Sequence, residues 1–184
     1  MCDYDVAYES RLFDAIDRGW LVPFQYFAIY DPTDYSQIRW TQRGYIEEEL
    51  DSLLIDDTRA ELVVNNLSRY LPAEGKLRAL AFCSTRAHAQ FMTRRFNELG
   101  RKAVCILGDT APVDRAAAMR ALASPASGVE ILCSVDVLGE GVDVPSVTHV
   151  LFLRPTQSFS LFVQQLGRGL RPAPGKDFVV ALDF

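Results

Sequence analysis

Histidine and methionine are scarce in this 184-residue chain, with two and three copies, and its four cysteines are widely spaced with no C-x-x-C pair. A zinc site and a disulfide framework both lose support, and a reducing cytoplasm is the simpler setting. No apolar run approaches the ~18–20 residues that a membrane-crossing helix needs. The opening residues Met1-Cys2-Asp3-Tyr4-Asp5 are acidic and lack the basic-then-apolar order of a secretory leader. No internal repeat and no low-complexity segment is visible. Also absent is any G-x-x-x-x-G-K-[ST] sequence. Gly175-Lys176 is followed by Asp177 and reads as the turn before a last strand. That absence argues against a stand-alone nucleotide-binding protein of the doubly wound type. No DExH sequence is present either.

What is there can fold. The chain is 49% hydrophobic and 23% charged, enough to bury a core. Its net charge of -5 conceals a segregation. Residues 1–75 carry 15 acidic and 6 basic side chains, whereas residues 76–184 carry 9 and 13. An acidic first part therefore precedes a basic second part.

The first part is irregular in pattern. Ser10 to Asp17 reads as a short helix with Ser10 as its cap and Gly19 as its stop. Leu21 to Tyr30 reads as a strand ended by Asp31-Pro32, and Glu47–Leu54 and Asp57–Tyr70 as helices. Leu71-Pro72-Ala73-Glu74-Gly75 is a break, which places a domain boundary between an extension, 1–75, and a main domain, 76–184.

From residue 76 apolar strands alternate with helices. The strands are Leu77–Cys83, Ala103–Leu107, Val129–Val135, Val147–Leu153 and Phe178–Phe184. The helices are Arg86–Leu99, capped by Thr85 and stopped by Gly100, then Pro112–Leu122 and Phe159–Leu166. Continuous apolar strands in this alternation predict an α/β fold, a parallel sheet covered by helices on both faces. In such sheets ligands bind outside the carboxyl ends of the strands.

Three clusters follow strands. Ser84-Thr85-Arg86 opens a helix, where amide hydrogens and the helix dipole suit a phosphate; equally, Thr85 can simply cap its own helix. Asp136 to Pro145 contains Gly139-Glu140-Gly141, which resembles the start of a dinucleotide fingerprint, but position 144 is Val where a third glycine is required. Crowded with Asp136, Glu140 and Asp143, this loop repels bare phosphate. It suits ribose hydroxyls or a carboxylate holding a neighbouring basic group. The third cluster is Gln164-Gln165-Leu166-Gly167-Arg168-Gly169-Leu170-Arg171. Arg168 and Arg171 share one face if the helix continues, and two guanidiniums can clamp a polyphosphate. The alternative is a solvated helix end with cations near its C-terminus. Glycines inside a helix cost ~1 kcal/mol each, which makes that alternative less comfortable.

In this order and spacing the clusters resemble the second RecA-like domain of superfamily 2 helicases and translocases. Ser84-Thr85 stands where the fourth motif ends its strand. Val135 to Pro145 resembles the fifth motif, and Gln164 to Arg171 matches the sixth, Q-x-x-G-R-x-x-R, at every fixed position. Residues 8–30 look like the inter-domain junction of bacterial DNA enzymes related to restriction-type translocases and repair helicases. Val135 departs from the pattern, since many relatives have threonine there and Ser134 is the nearest hydroxyl.

The resemblance implies a motor in which ATP with Mg2+ sits between two RecA-like domains. A first domain, preceding this one, would carry the phosphate loop and the magnesium carboxylates. Arg168, Arg171 and Gln164 are then the catalytic candidates, and Gly141, Asp143 and Glu140 the nucleotide-side ones. Ser84, Thr85, Arg86 and Ser134 would contact a nucleic-acid backbone; the motifs do not separate DNA from RNA, and the resemblance of the junction segment favours DNA. No metal ligand and no membrane partner is expected within the chain. The rival from another class is a non-catalytic α/β interaction domain whose helicase-like motifs have decayed. Cys83, Cys105 and Cys133 read as core residues, and His88 and His149 have no partner cluster for a metal.

Overall fold

The computed structural model describes residues 11–41, 44–72, 76–135, 144–155 and 158–184. In chain order the elements are α1 (Leu12–Asp17), β1 (Phe24–Ala28), a 3₁₀ turn (Tyr35–Gln37), β2 (Trp40–Thr41), β3 (Gly44–Tyr45), α2 (Glu47–Leu54) and α3 (Asp57–Arg69). Then follow β4 (Ala79–Phe82), α4 (Arg86–Glu98), β5 (Ala103–Ile106), α5 (Pro112–Ala123), β6 (Ile131–Ser134), β7 (His149–Phe152), α6 (Phe159–Gly169) and β8 (Val179–Asp183).

Six strands form one all-parallel sheet in the order β1-β8-β7-β4-β6-β5, and β2 and β3 form a separate small ribbon. The central strands β4, β6 and β7 are buried along their whole length, as continuous apolar runs require when both faces are covered. One face packs Ala79, Ala81, Cys133 and Leu151 under α3 and α4. The other packs Leu80, Leu132, Val150 and Ala181 under α5 and α6. The expected RecA-like parallel sheet with helices on both faces is the fold observed.

The extension is built into this sheet. Phe24 to Ala28 pairs in register with Val179 to Asp183, making β1 an edge strand. Bonds to β8 extend this pairing by one residue at each end, with Pro23 accepting from the Val179 amide at 3.0 Å and Ile29 donating to the Asp183 carbonyl at 2.7 Å. Val22 instead donates to the Leu170 carbonyl at 2.9 Å. Val63 and Leu67 of α3 are fully buried in the same core as Ala81 and Met92. The acidic charge is also used locally, since Arg95 of α4 meets Asp57 at 3.1 Å and Glu61 at 3.5 Å across the α3–α4 contact. Residues 73–75 of the expected boundary, and Ser10 as the cap of α1, lie outside the described residues. Arg11 occupies the cap position, its amide donating to the Asp14 carboxylate. Gly100 stops α4 with φ +83°, a conformation that side chains with a Cβ resist.

Candidate functional site

Helix α6 begins at Ser158, whose hydroxyl accepts from the Leu161 amide at 3.2 Å, and runs past its expected end at Leu166 as far as Gly169. The last turn survives two glycines because packing compensates. A Cβ on Gly169 would lie 2.7 Å from Val150 Cγ2 and 3.2 Å from Val179 Cγ1, so the helix touches β7 and β8 only because no side chain intervenes. A Cβ on Gly167, by contrast, would meet nothing within 4 Å. Arg168 lies half-buried in that last turn. Arg171 falls one residue beyond the capping Leu170, so the helix does not continue through it and the condition for two arginines on one helix face is not met. Gln164 is exposed, while its neighbour Gln165 is buried, with an Oε1 that finds no partner among the described residues.

The direction of α6 decides where these residues sit. It leaves the carboxyl end of β7 and must return the chain to the amino end of β8. Gly169 accordingly packs on Val150 and Val179, near the starts of those strands. The sixth-motif arginines are therefore at the amino ends, opposite to where ligand-binding residues of open α/β sheets are sought first.

At that end Lys176 gathers three carbonyls from two segments. Its ammonium donates to the carbonyls of Gly169 at 2.5 Å, Pro145 at 2.7 Å and Arg171 at 2.9 Å. Burial pushes its pKa down to about 8, so the ammonium still predominates at neutral pH. Sequence reading saw only a turn residue here. Nothing in periodicity marks a lysine that will converge on three carbonyls. Pro145 closes the loop resembling the fifth motif, so the end of that loop lies against the sixth motif. Glu140, Gly141 and Asp143 fall outside the described residues.

At the carboxyl ends, Thr85 caps α4, accepting from the His88 amide at 3.1 Å, and its hydroxyl also donates to Asp51 of α2. The Ser84 hydroxyl lies 2.9 Å from His88 Nδ1, and the Ser84 amide donates to the same nitrogen at 3.3 Å. His88 is fully buried. Burial, and then the charge of Arg59, lower its pKa to about 3, so it is neutral, and its Nε2 finds no partner among the described residues. Ser134 closes β6, and its hydroxyl is fully buried with no partner among the described residues. Arg86 is exposed and pairs with Asp109 at 2.8 Å.

Sequence reading also missed Arg59 and Asp31, an ion pair at 2.7 Å with side chains 3% and 5% exposed. Burial pulls the Asp31 carboxyl up, but the Thr33 hydroxyl and amide and the Arg59 guanidinium outweigh it and hold the group below its ordinary value. Arg59 also reaches the Leu153 carbonyl at 3.4 Å. The pair is separated by 28 residues of chain, which no local pattern connects.

Among the described residues no group of three or more His, Cys, Asp or Glu could hold a metal. His149 donates from Nε2 to the Tyr70 carbonyl at 2.6 Å and accepts from Thr148, a structural role. Cys83, Cys105 and Cys133 are free thiols. No helix among the described residues is long and apolar enough to cross a membrane.

The family "Helicase conserved C-terminal domain" matches residues 62–173. The chain is 25% identical over 179 residues to "Putative ATP-dependent helicase IRC3" of Saccharomyces cerevisiae, covering 97% of this chain and 26% of that protein. It is 30% identical over 122 residues to the type I restriction enzyme EcoKI endonuclease subunit of Escherichia coli, covering 61% of this chain and 10% of that protein. It thus spans about a quarter and about a tenth of the lengths of these relatives. A fragment structure of a "putative HsdR subunit of a type I restriction enzyme from Vibrio vulnificus YJ016" superposes with a TM-score of 0.71 at 21% identity, covering 93% of this chain and 33% of that one. With the family match running across more than half its length and through the sixth motif, the chain belongs to the helicase conserved C-terminal domain family, the second RecA-like domain of superfamily 2 helicases.

Proposed function

We propose that this chain is the second motor domain of an ATP-dependent helicase or translocase that acts on nucleic acid, DNA in preference to RNA. The observation that carries the proposal is the convergence at Lys176, which brings the end of the fifth-motif loop (Pro145) within one ammonium of the sixth motif (Gly169 and Arg171). A cleft that takes ribose on one motif and phosphate on the other needs these two segments side by side. The residues present fit a contributing wall and not a complete nucleotide site, because the sequence carries Arg168 and Arg171 of the sixth motif but no G-x-x-x-x-G-K-[ST] phosphate loop.

In this reading the first RecA-like domain supplies the phosphate loop and the carboxylates for Mg2+, and bound Mg-ATP supplies the phosphoryl group transferred to water. Arg168 and Arg171 reach across the cleft and stabilise the charge that develops on the γ-phosphoryl group. Such arginines are worth ~10³-fold or more in turnover, roughly 4 kcal/mol of barrier. Gln164, exposed on the same helix, couples the nucleotide to cleft closure, and Asp143, Gly141 and Glu140 attend the ribose side. Ser84 and Arg86 are the accessible members of the backbone-contacting set. Thr85 and Ser134 would join them only by releasing Asp51 or by uncovering β6. Such contacts position the strand without reading its sequence.

DNA is preferred because residues 8–30 resemble the junction of DNA translocases and a restriction endonuclease subunit is among the relatives. The test is ATP hydrolysis by the intact protein with single-stranded DNA, double-stranded DNA and RNA in turn. Stimulation by DNA and none by the isolated 184-residue chain is expected. Robust turnover by the isolated chain overturns the reading. Absence of hydrolysis with every nucleic acid favours the non-catalytic interaction domain.

A further inference from the structure

We infer that Lys176 is the positioning residue for Arg171, a three-point clip that sets the arginine against the fifth-motif loop. The inference rests on the functional reading above and deepens it. An ammonium carries three N–H groups, and here all three are taken, by Gly169 and Arg171 from one segment and by Pro145, 31 residues before Lys176, from another. With no donor left over, the three acceptors are fixed relative to one another.

A lysine near a helix C-terminus often does no more than cap the last carbonyls. The Gly169 and Arg171 contacts fit that description, but the Pro145 contact does not, because Pro145 belongs to no helix and enters from the loop after β6. The end of α6 is already seated by Gly169 against Val150 and Val179. What this seating leaves undetermined is the course of the chain after Leu170, where Arg171 emerges. Lys176 fixes that course by holding the Arg171 carbonyl, which places the root of the side chain. Burying a cation to do this is costly, as its lowered pKa shows. An apolar side chain would hold none of the three oxygens.

The experiment is a double-mutant cycle in the intact helicase, by single-turnover ATP hydrolysis with its stimulating nucleic acid and by binding of a fluorescent ATP analogue. Lys176→Met and Lys176→Arg are each combined with Arg171→Ala. Lys176→Arg keeps the charge and the stem, so the cycle remains readable where Lys176→Met folds poorly, and its flat fork cannot converge three donors on one point. The expected result is an approximately tenfold fall in hydrolysis rate for Lys176→Met and a smaller fall for Lys176→Arg. Analogue affinity should stay within about twofold, and either change should have an effect below about twofold once Arg171 is alanine. An equal fold-loss in both backgrounds, or no loss in either, overturns the positioning role while leaving the functional reading intact. If Arg171→Ala alone leaves the rate unchanged, the functional reading fails and the clip's purpose with it.

Discussion

At the carboxyl ends of the sheet, side chains hold the structure together: Thr85 binds the His88 amide and Asp51, Ser84 binds His88, and Arg59 is locked to Asp31. At the amino ends the corresponding work falls on main-chain carbonyls gathered by one ammonium, and on a glycine that brings α6 onto the strands. Two sets of motif residues at opposite ends of one sheet are thus fixed by different chemistry. The first end depends on the acidic extension, which supplies Asp31, Asp51 and Arg59. The second draws its clip and its glycine from the basic part, joined to the extension by the Val22 amide on the Leu170 carbonyl.

Substitutions can separate the two ends. The largest effect is expected at the buried pair. Arg59→Met strands the Asp31 carboxylate away from water and should cost about 3–5 kcal/mol in urea unfolding, and adding Asp31→Asn should recover much of it. Next is Gly169→Ala, whose methyl meets Val150 at 2.7 Å and should cost about 1–3 kcal/mol. Gly167→Ala, two residues away in open space, should instead stabilise by about 0.5–1 kcal/mol. Equal effects at the two glycines in thermal melts would remove the close-approach account of α6.

Acid should weaken the carboxyl end through His88. His88 titrates near 3 when folded and near its ordinary 6.5 when unfolded, so the unfolded chain binds the extra proton between those values. The stability this histidine contributes is complete above about pH 6.5 and is lost on acidification at up to ~1.4 kcal/mol per pH unit. His88→Gln should flatten that part of the stability–pH curve, and an unchanged slope would assign it elsewhere. The smallest effect is expected at the cap, where Thr85→Ala should cost about 1 kcal/mol and Thr85→Ser little, by the same unfolding measurement.

Periodicity locates each described strand after residue 76 to within about two residues, because fully buried parallel strands announce themselves as apolar runs. It misjudged the end of α6, where Gly167 and Gly169 argue locally for a stop and only the contact with Val150 and Val179 explains continuation. The sixth motif was legible because its spacing is local. Lys176, Asp51 and Arg59 were not, since each acts on partners distant in sequence that only the folded sheet assembles. The strand-end rule likewise points to Ser84 and Thr85, while the arginines lie at the other end because a crossover helix must return the chain.

The central claim is that Arg171 acts on a nucleotide held by another domain, and it is tested most directly by Arg171→Ala in the intact protein. Nucleic-acid-stimulated ATP hydrolysis and ATP binding should be measured together. The account predicts a fall of ~10³-fold or more in turnover with binding largely preserved. An unchanged rate of hydrolysis would contradict it.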